Sequence, residues 1–126
     1  MSGANEVQAR ITDILQRIAM EVNLYTLALI TREGRRIAYY STTEVDPDLM
    51  SAVTAAILNA AEMSIAQMGQ GELWEIVVRG SLGFSIVSCA GQSFLMVGAG
   101  THAANLGKVV SVLRDYSKMI AQILGI

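Results

Sequence analysis

The segment at residues 47–68, PDLMSAVTAAILNAAEMSIAQM, most constrains what this chain can fold into. Asp46 is suited to cap the N-terminus of a helix, Pro47 to occupy its first turn, and Gly69 to follow its end, so the sequence predicts a helix here. Beyond the first turn its only charged residue is Glu62. A helix on a sheet needs one apolar stripe, whereas a helix that is apolar nearly all round is covered on both sides. Something besides its own sheet must therefore cover this helix.

The predicted helix presents two neighbouring stripes of apolar and small residues. One stripe consists of Leu49, Val53, Ala56, Ala60 and Met63, and the other of Met50, Ile57, Ala61, Ser64 and Met68. Small side chains such as those of Ala56 and Ala60 allow a second helix to approach closely. We therefore predict that this helix pairs with a partner subunit. The residues assigned to that contact are Met50, Val53, Ile57, Ala60, Ala61, Ser64 and Met68.

Hydrophobic periodicity divides the rest of the chain into two further helices and five strands. The strands form one hairpin before the second helix and a three-stranded meander after it, because glycine-bearing turns separate them. The predicted order is α-β-β-α-β-β-β-α. The predicted helices span residues 5–21, 47–68 and 101–125, and the predicted strands span residues 24–30, 36–41, 72–79, 84–90 and 93–99.

The strand predicted at residues 72–79, ELWEIVVR, also carries apolar side chains that would need to be covered. At the edge of a sheet, its unpaired backbone groups and apolar side chains would promote aggregation unless another strand lay beside them. A two-fold dimer that joins helix to helix and edge strand to edge strand would cover both surfaces. We assign Leu73, Trp74, Ile76 and Val78 to this interface. Burial of both surfaces within one subunit stays open as the alternative.

Composition agrees with one domain that makes an apolar contact to a partner. The chain has 126 residues, which we assign to a single domain, residues 1–126. Hydrophobic residues make up 52% and charged residues 16%, a larger apolar share than one self-contained core needs. The net charge is −2 and the basic residues are scattered, so we expect no nucleic-acid partner.

Cysteine usage and the N-terminus indicate a cytoplasmic protein. Cys89 is the only cysteine, which excludes an intrachain disulfide, and we expect it to be buried in a strand. The first residues, MSGANEVQAR, lack the features of a signal peptide. Residues 80–107 contain no Asp, Glu, Lys or Arg, but glycines and serines break them into short pieces. We therefore expect strands there, and no direct membrane insertion.

The stretch MVGAGTHAANLG contains Gly98, Gly100 and Ala103 in the G-x-G-x-x-G/A spacing of dinucleotide-binding turns. A dinucleotide fold also needs a second parallel strand and an acidic residue about 20 positions further on, and the chain offers neither. We interpret the two glycines as the point where the backbone leaves a strand and turns tightly, with Thr101 capping the following helix. No cofactor is expected.

The remaining side chains do not form a catalytic or metal-binding set. His102 is the only histidine, and its nearest acidic residue in sequence is Asp115. A capping or solvent-facing role is the better interpretation of His102, since a triad or metal site needs further partners. The sequence therefore predicts no catalytic residue, no metal site and no enzyme activity.

Four segments together resemble the roadblock family. They are LALITREGRRIAYY in the hairpin, the proline-started and alanine-rich second helix, ELWEIVVRG, and ANLG before the third helix. That family includes roadblock-type dynein light chains and the bacterial and archaeal partners of small Ras-like GTPases. The resemblance implies an α/β sandwich with a five-stranded antiparallel sheet of order 2-1-5-4-3. It places the second helix on one face of the sheet and the first and third helices on the other.

The resemblance also implies homodimers, or heterodimers with a related roadblock subunit, paired through the second helix and the third strand. Members of the family act as scaffolds or regulators of small GTPases. Arg32, Arg35, Arg36 and Arg79 are available to a partner, and nothing marks one of them as catalytic. A nucleotide-indifferent structural adaptor and a small-molecule sensor remain as alternative functions.

Overall fold

The computed structural model describes residues 2–125, which form three helices and five strands. The order of the elements is α-β-β-α-β-β-β-α, as predicted. The helices are α1 (Ser2–Val22), α2 (Pro47–Gln67) and α3 (Leu106–Leu124), and the strands are β1 (Thr26–Thr31), β2 (Arg36–Ser41), β3 (Glu75–Arg79), β4 (Gly83–Ala90) and β5 (Phe94–Thr101).

The five strands form one antiparallel sheet of order β2-β1-β5-β4-β3. This order confirms the predicted topology. Strand β5 is central, between β1 and β4, while β2 and β3 are the two edges. Each edge strand therefore has one row of backbone groups that no other strand of the sheet can pair.

Two hydrophobic cores lie on opposite faces of the sheet. Alternate residues of β1 serve both: Leu27 and Leu29 face α1 and α3, whereas Ala28 and Ile30 face α2. The larger core contains Ile11, Leu15, Ile18, Leu113 and Ile120 of the two helices. The smaller core contains Leu58 of α2 with Ala28, Ile30, Val87, Leu95 and Val97. The α2 side thus receives much less helical apolar surface than the other side.

Local capping chemistry explains where α2 begins. The Asp46 carboxylate accepts hydrogen bonds from the backbone N–H groups of Asp48 and Leu49 at 3.0 and 3.1 Å. Pro47 occupies the first turn, as predicted. The helix ends at Gln67, one residue earlier than expected, and Met68 is its C-cap.

Three predicted boundaries are wrong by several residues. Helix α1 begins at Ser2 instead of residue 5, and β3 begins at Glu75 instead of residue 72, so that Leu73 and Trp74 precede the strand. Helix α3 begins at Leu106, because the Asn105 side chain caps it by accepting from the N–H of Lys108 at 3.0 Å. The end of α3 agrees with the prediction, since Gly125 is its left-handed C-cap.

The predicted glycine turn is also wrong. Gly98 and Gly100 lie within β5, and Thr101 is the last residue of that strand and not a helix cap. A β-carbon at Gly98 would lie 3.0 Å from Leu24 Cδ1, and one at Gly100 would lie 3.1 Å from Leu24 Cδ2 and 3.3 Å from the Phe84 ring. These glycines therefore leave room for the side chains that pack across β5.

We expect Gly100→Ala to lower the free energy of unfolding by about 1–3 kcal/mol, because the added methyl group overpacks the contact with Leu24 and Phe84. Gly107→Ala is the matched control, since a β-carbon there meets only Asn105 Oδ1 at 3.5 Å and the position is helical. The control should be unchanged or gain up to about 1 kcal/mol. Urea unfolding at equal protein concentration measures both, and equal stability of Gly100→Ala and the parent chain would contradict this account.

Candidate partner-binding surface

Helix α2 rests on its own sheet through a narrow strip. Its buried residues are Ser51, Thr54 and Leu58. The hydroxyl of Ser51 donates to the carbonyl of Pro47 at 2.6 Å, and that of Thr54 donates to the carbonyl of Met50 at 2.8 Å. Because the helix itself satisfies both hydroxyls, they can face the sheet without a polar partner there.

The opposite side of α2 is apolar and open to solvent. Leu49 is 62% exposed, Val53 50% and Met63 68%. These side chains recur at helical spacing and share one side of the helix with exposed alanines. We call this set the outer α2 face; its members are Leu49, Val53, Ala56, Ala60 and Met63. An apolar surface of this kind on a folded chain indicates a contact with another molecule.

The residues predicted for the partner contact divide into two groups on α2. The exposed members are Val53, Ala60, Ser64 and Met68, and the half-buried members are Met50, Ile57 and Ala61. Met50 packs against the smaller core, so it contributes to the subunit's own interior. Leu49 and Met63 were not assigned to the contact although they are exposed. Their helical spacing from Val53 was a sequence signal that could have identified them.

The edge strand β3 lies beside the smaller core and, within the described chain, pairs only with β4. Leu73 and Ile76 are half-buried and pack against that core. Trp74 is 64% exposed and Val78 46%. The four predicted residues of this segment thus comprise two that anchor it to the core and two that remain accessible.

Two arginine side chains connect the β1–β2 hairpin to α2. Arg32 Nη1 lies 3.2 Å from Glu62 Oε2 of α2, and Arg36 Nε lies 3.6 Å from Asp48 Oδ1 at the start of the same helix. These partly exposed pairs orient the β1–β2 hairpin and contribute little stability. Arg35 and Arg79 are exposed. Arg32 and Arg36 thus contact α2 near its two opposite ends, each through a carboxylate.

Arg114 of α3 fixes the start of β3. Its Nη2 lies 2.6 Å from Glu75 Oε1, and its guanidinium carbon lies 5.1 Å from the centre of the Trp74 ring. A guanidinium over an indole face is attracted to the ring electrons. The carboxylate and the ring are therefore held together at the first residues of the strand.

A half-open cavity of about 980 Å³ lies at the corner of the sheet where β3 begins. We call it the corner cavity; its lining includes Arg32, Leu73, Trp74, Cys89, Arg114 and Lys118. The segment at residues 80–107 contributes the uncharged polar side chains of Ser88, Cys89 and Gln92 to this lining. The charged groups of the corner cavity come from the β1–β2 hairpin, α2, the connection between α2 and β3, and α3.

Cys89 lies in β4, as predicted, but it is half-buried and lines the corner cavity. Burial raises the pKa of the Cys89 thiol above its ordinary value. The Arg32 guanidinium opposes this rise in pKa, while Glu62 and Glu75 add to it. The thiol is therefore protonated at neutral pH.

His102 is exposed in the loop between β5 and α3. Its Nε2 lies 3.2 Å from the carbonyl oxygens of both Gly80 and Ser81, so it contacts the turn between β3 and β4. No group of three or more His, Cys, Asp or Glu side chains within residues 2–125 is arranged to hold a metal ion.

Helix α2 is also the one helix of the described chain that is long and apolar enough to cross a membrane. Here it lies across the sheet, with Leu58 buried in the smaller core. The uncharged segment at residues 80–107 contains β4 and β5, as predicted, and no membrane-length helix.

Comparison with protein families gives a match to the Roadblock/LC7 domain over residues 11–99. Two uncharacterized proteins of Methanocaldococcus jannaschii are each 27% identical to this chain over 88 residues. Those alignments cover 67% of this chain and 77% of each relative.

Several solved structures share the fold. A structure described as MglB with tetrameric arrangement has a TM-score of 0.87 and 22% identity, covering 93% of this chain and 89% of that one. Gliding protein MglB from Thermus thermophilus has a TM-score of 0.86 and 23% identity, covering 93% and 90%. A Roadblock/LC7 domain from Streptomyces avermitilis has a TM-score of 0.84 and 14% identity, covering 91% and 98%. At these identities the likeness establishes the fold.

The raised pKa of Cys89 predicts slow alkylation at neutral pH. Because only the thiolate reacts, iodoacetamide should modify the native protein more slowly than the urea-unfolded chain at pH 7–8. The native rate should rise with pH over a range above that of the unfolded chain. Mass spectrometry of quenched samples gives both rates, and equal native and unfolded rates at neutral pH would contradict the assignment.

Proposed function

The chain belongs to the Roadblock/LC7 family, and we propose that it is a non-enzymatic dimeric module that binds a small Ras-like GTPase or an assembly containing one. The observation that carries this proposal is the outer α2 face, where Leu49, Val53 and Met63 are each at least half exposed. We place the protein in the cytoplasm, in keeping with a single unpaired cysteine.

The dimer part of the proposal rests on uncovered apolar surface. Helix α2 has 21 residues and is therefore about 30 Å long. Two such faces packed about a two-fold axis would remove the apolar side chains of both from water, and the alanines of each would let the helices approach closely. The partner is a second copy of this chain or a related roadblock subunit.

The GTPase part of the proposal rests on family membership. The family resemblance associates this fold with small Ras-like GTPases. In the proposed dimer the two adjacent α2 helices would form one shared surface, and the parts of each helix that flank the helix–helix contact would be open to such a partner. Arg32 and Arg36 make intramolecular ion pairs, and Arg35 and Arg79 are exposed at the hairpin and at the edge strand. We propose that the chain alone does not turn over substrate. A nucleotide-indifferent adaptor remains the alternative of the same binding class.

A small-molecule sensor is a second candidate that one observation favours. The corner cavity brings an indole ring, Trp74, together with the cationic side chains of Arg114 and Lys118. Glu62 and Glu72 also line the cavity, so it suits a ligand with an aromatic or planar part that stacks on the indole and polar groups that meet both charges. A ligand there would not require the outer α2 face, so variants of that face separate the two functions.

We expect Val53→Glu to convert a folded dimer into a folded monomer. Each dimer carries the change twice, and each copy loses apolar burial of about 1 kcal/mol or more and gains an unpaired carboxylate. The dissociation constant should rise at least about a hundredfold, which corresponds to about 2.7 kcal/mol. Sedimentation velocity over a concentration series measures the constant, and circular dichroism verifies the fold.

Asn59→Glu is the matched control for this change. Asn59 is exposed on the same helix and lies outside the outer α2 face, so the control adds the same charge at a polar position. The Asn59→Glu variant should dimerise as tightly as the parent chain. An intact Val53→Glu dimer as tight as the parent would show that this face does not pair the subunits, and a parent that is monomeric at every concentration would remove the dimer proposal.

The immobilised protein should capture a small GTPase from an extract of its source cells to different extents with GDP and with a non-hydrolysable GTP analogue. The bound proteins are identified by mass spectrometry, and the isolated pair is then measured by calorimetry with each nucleotide. The Val53→Glu variant is the control bait and should lose the capture. Equal binding with both nucleotides would favour the adaptor, and a partner without a GTPase domain would contradict the proposal.

A further inference from the structure

The hydrogen bonds of β3 determine which of its residues face the open edge. Cys89 N–H donates to the Trp74 carbonyl at 3.2 Å, and Gly80 N–H donates to the Gly83 carbonyl at 2.8 Å. Trp74 and Gly80 therefore direct backbone groups towards β4. In an antiparallel pair this direction alternates from one residue to the next. The backbone N–H and C=O groups of Ile76 and Val78 consequently also point towards β4.

The remaining residues of the strand, Glu75, Val77 and Arg79, direct their N–H and C=O groups away from β4. They present three donors and three acceptors at the edge of the sheet. Such a row is complete only when another strand pairs with it. The sequence of the strand, EIVVR, is symmetrical about Val77 in the placement of its two opposite charges.

We propose that β3 is a self-complementary edge whose register in the dimer is fixed with Val77 on the two-fold axis. The inference rests on the proposed dimer and specifies its geometry. In this register Glu75 lies opposite the partner's Arg79, and Val77 lies opposite the partner's Val77. All six outward backbone groups of each strand then find partners, which gives six hydrogen bonds across the axis.

Other registers satisfy fewer groups. If one strand slides by two residues, either Glu75 or Arg79 passes beyond the end of the opposite strand, and four hydrogen bonds remain within β3. If it slides by one residue, outward-facing residues lie opposite residues whose groups are already bonded to β4. The same one-residue shift would turn the side chains to the wrong face of the sheet. The hydrogen bonds alone therefore favour the Val77 register.

The charges favour the same register. Glu75 and Arg79 lie on the α3 face, since their β4 partners Ser88 and Phe84 face that side. Arg79 is exposed and forms no salt bridge within residues 2–125, whereas Glu75 is held by Arg114. Each Glu75 would accept from the partner's Arg79 in addition to Arg114. Opposite charges placed directly across two strands attract, and like charges repel.

The side chains on the other face are compatible with this arrangement. Ile76 lies on the α2 side of the sheet and Val78 shares that side, because both alternate with Glu75 and Val77. Ile76 lies opposite the partner's Val78 in the proposed register, so apolar groups meet on the side where the α2 helices pair. The occupant that fits this edge is therefore a second copy with the same order of charges.

The test exchanges the two charges between subunits. Arg79→Glu places carboxylates opposite each other, and Glu75→Lys places cations opposite each other, so each variant alone should dimerise at least about tenfold more weakly than the parent. An equimolar mixture restores both pairs. At a concentration where each variant is mainly monomeric, the mixture should form heterodimers, which native mass spectrometry resolves because the two masses differ.

Arg35→Glu is the matched control, because Arg35 is exposed at the tip of the β1–β2 hairpin and also forms no salt bridge within the described chain. It makes the same charge change away from β3 and should dimerise as the parent does. Circular dichroism verifies that Glu75→Lys, which also loses its contact with Arg114, is folded. Higher salt should reduce the difference between the dimer dissociation constants of Arg79→Glu and the parent, because salt screens the repulsion between the carboxylates.

The outcomes separate this inference from the proposed function. A dimeric parent whose Arg79→Glu variant is equally tight, with random mixing of the two variants, would overturn the register and leave the dimer intact. A parent that is monomeric throughout would overturn both. Preferential heterodimers from the mixture would support the register, since a loss of folding in either variant could not produce them.

Discussion

The central constraint on this structure is that the sheet covers only a narrow strip of α2. Leu58 is the one large side chain that the helix buries, and the neighbouring buried positions are Ser51 and Thr54. An apolar helix about 30 Å long with so narrow a contact leaves Leu49 and Met63 in water, where the cost grows with exposed apolar area. The need to cover that area indicates a contact with another molecule.

The sequence predicted the fold where local chemistry was decisive. Asp46 and Pro47 have no competitor as the start of α2, and the structure uses both. Thr101 and Asn105 are both good helix caps, and the choice between them depended on β5, which continues to Thr101 because that residue pairs with Gly83. Trp74 has a strand-like side chain, yet it precedes β3 and stacks with Arg114 of a distant helix. Contacts between residues far apart in sequence decided both boundaries.

The sequence predicted that α2 carries more apolar surface than its own sheet covers, but it did not predict which side of the helix is exposed. Hydrophobicity placed the apolar residues of α2 on two stripes, and neither stripe contains Ser51, Thr54 or Leu58, the residues that the helix buries against the sheet. The buried strip includes Ser51 and Thr54, whose hydroxyls bond to the preceding turn and so behave as small side chains. The rotation that buries these two residues leaves Val53 exposed and turns Met50 towards the smaller core. A ranking by hydrophobicity alone cannot anticipate that rotation.

The two surfaces of the proposed dimer would contribute different kinds of information. Apolar burial on the outer α2 face is non-directional, and alanines such as Ala56 and Ala60 place little steric limit on sliding of one helix along another. Backbone pairing at β3 is directional, because Val77 and its outward neighbours can be satisfied fully in one register. In such a dimer the helices supply most of the affinity, while the strands set the angle and offset of the paired helices. The shape of the platform offered to a GTPase would then be determined at an edge that the GTPase need not touch.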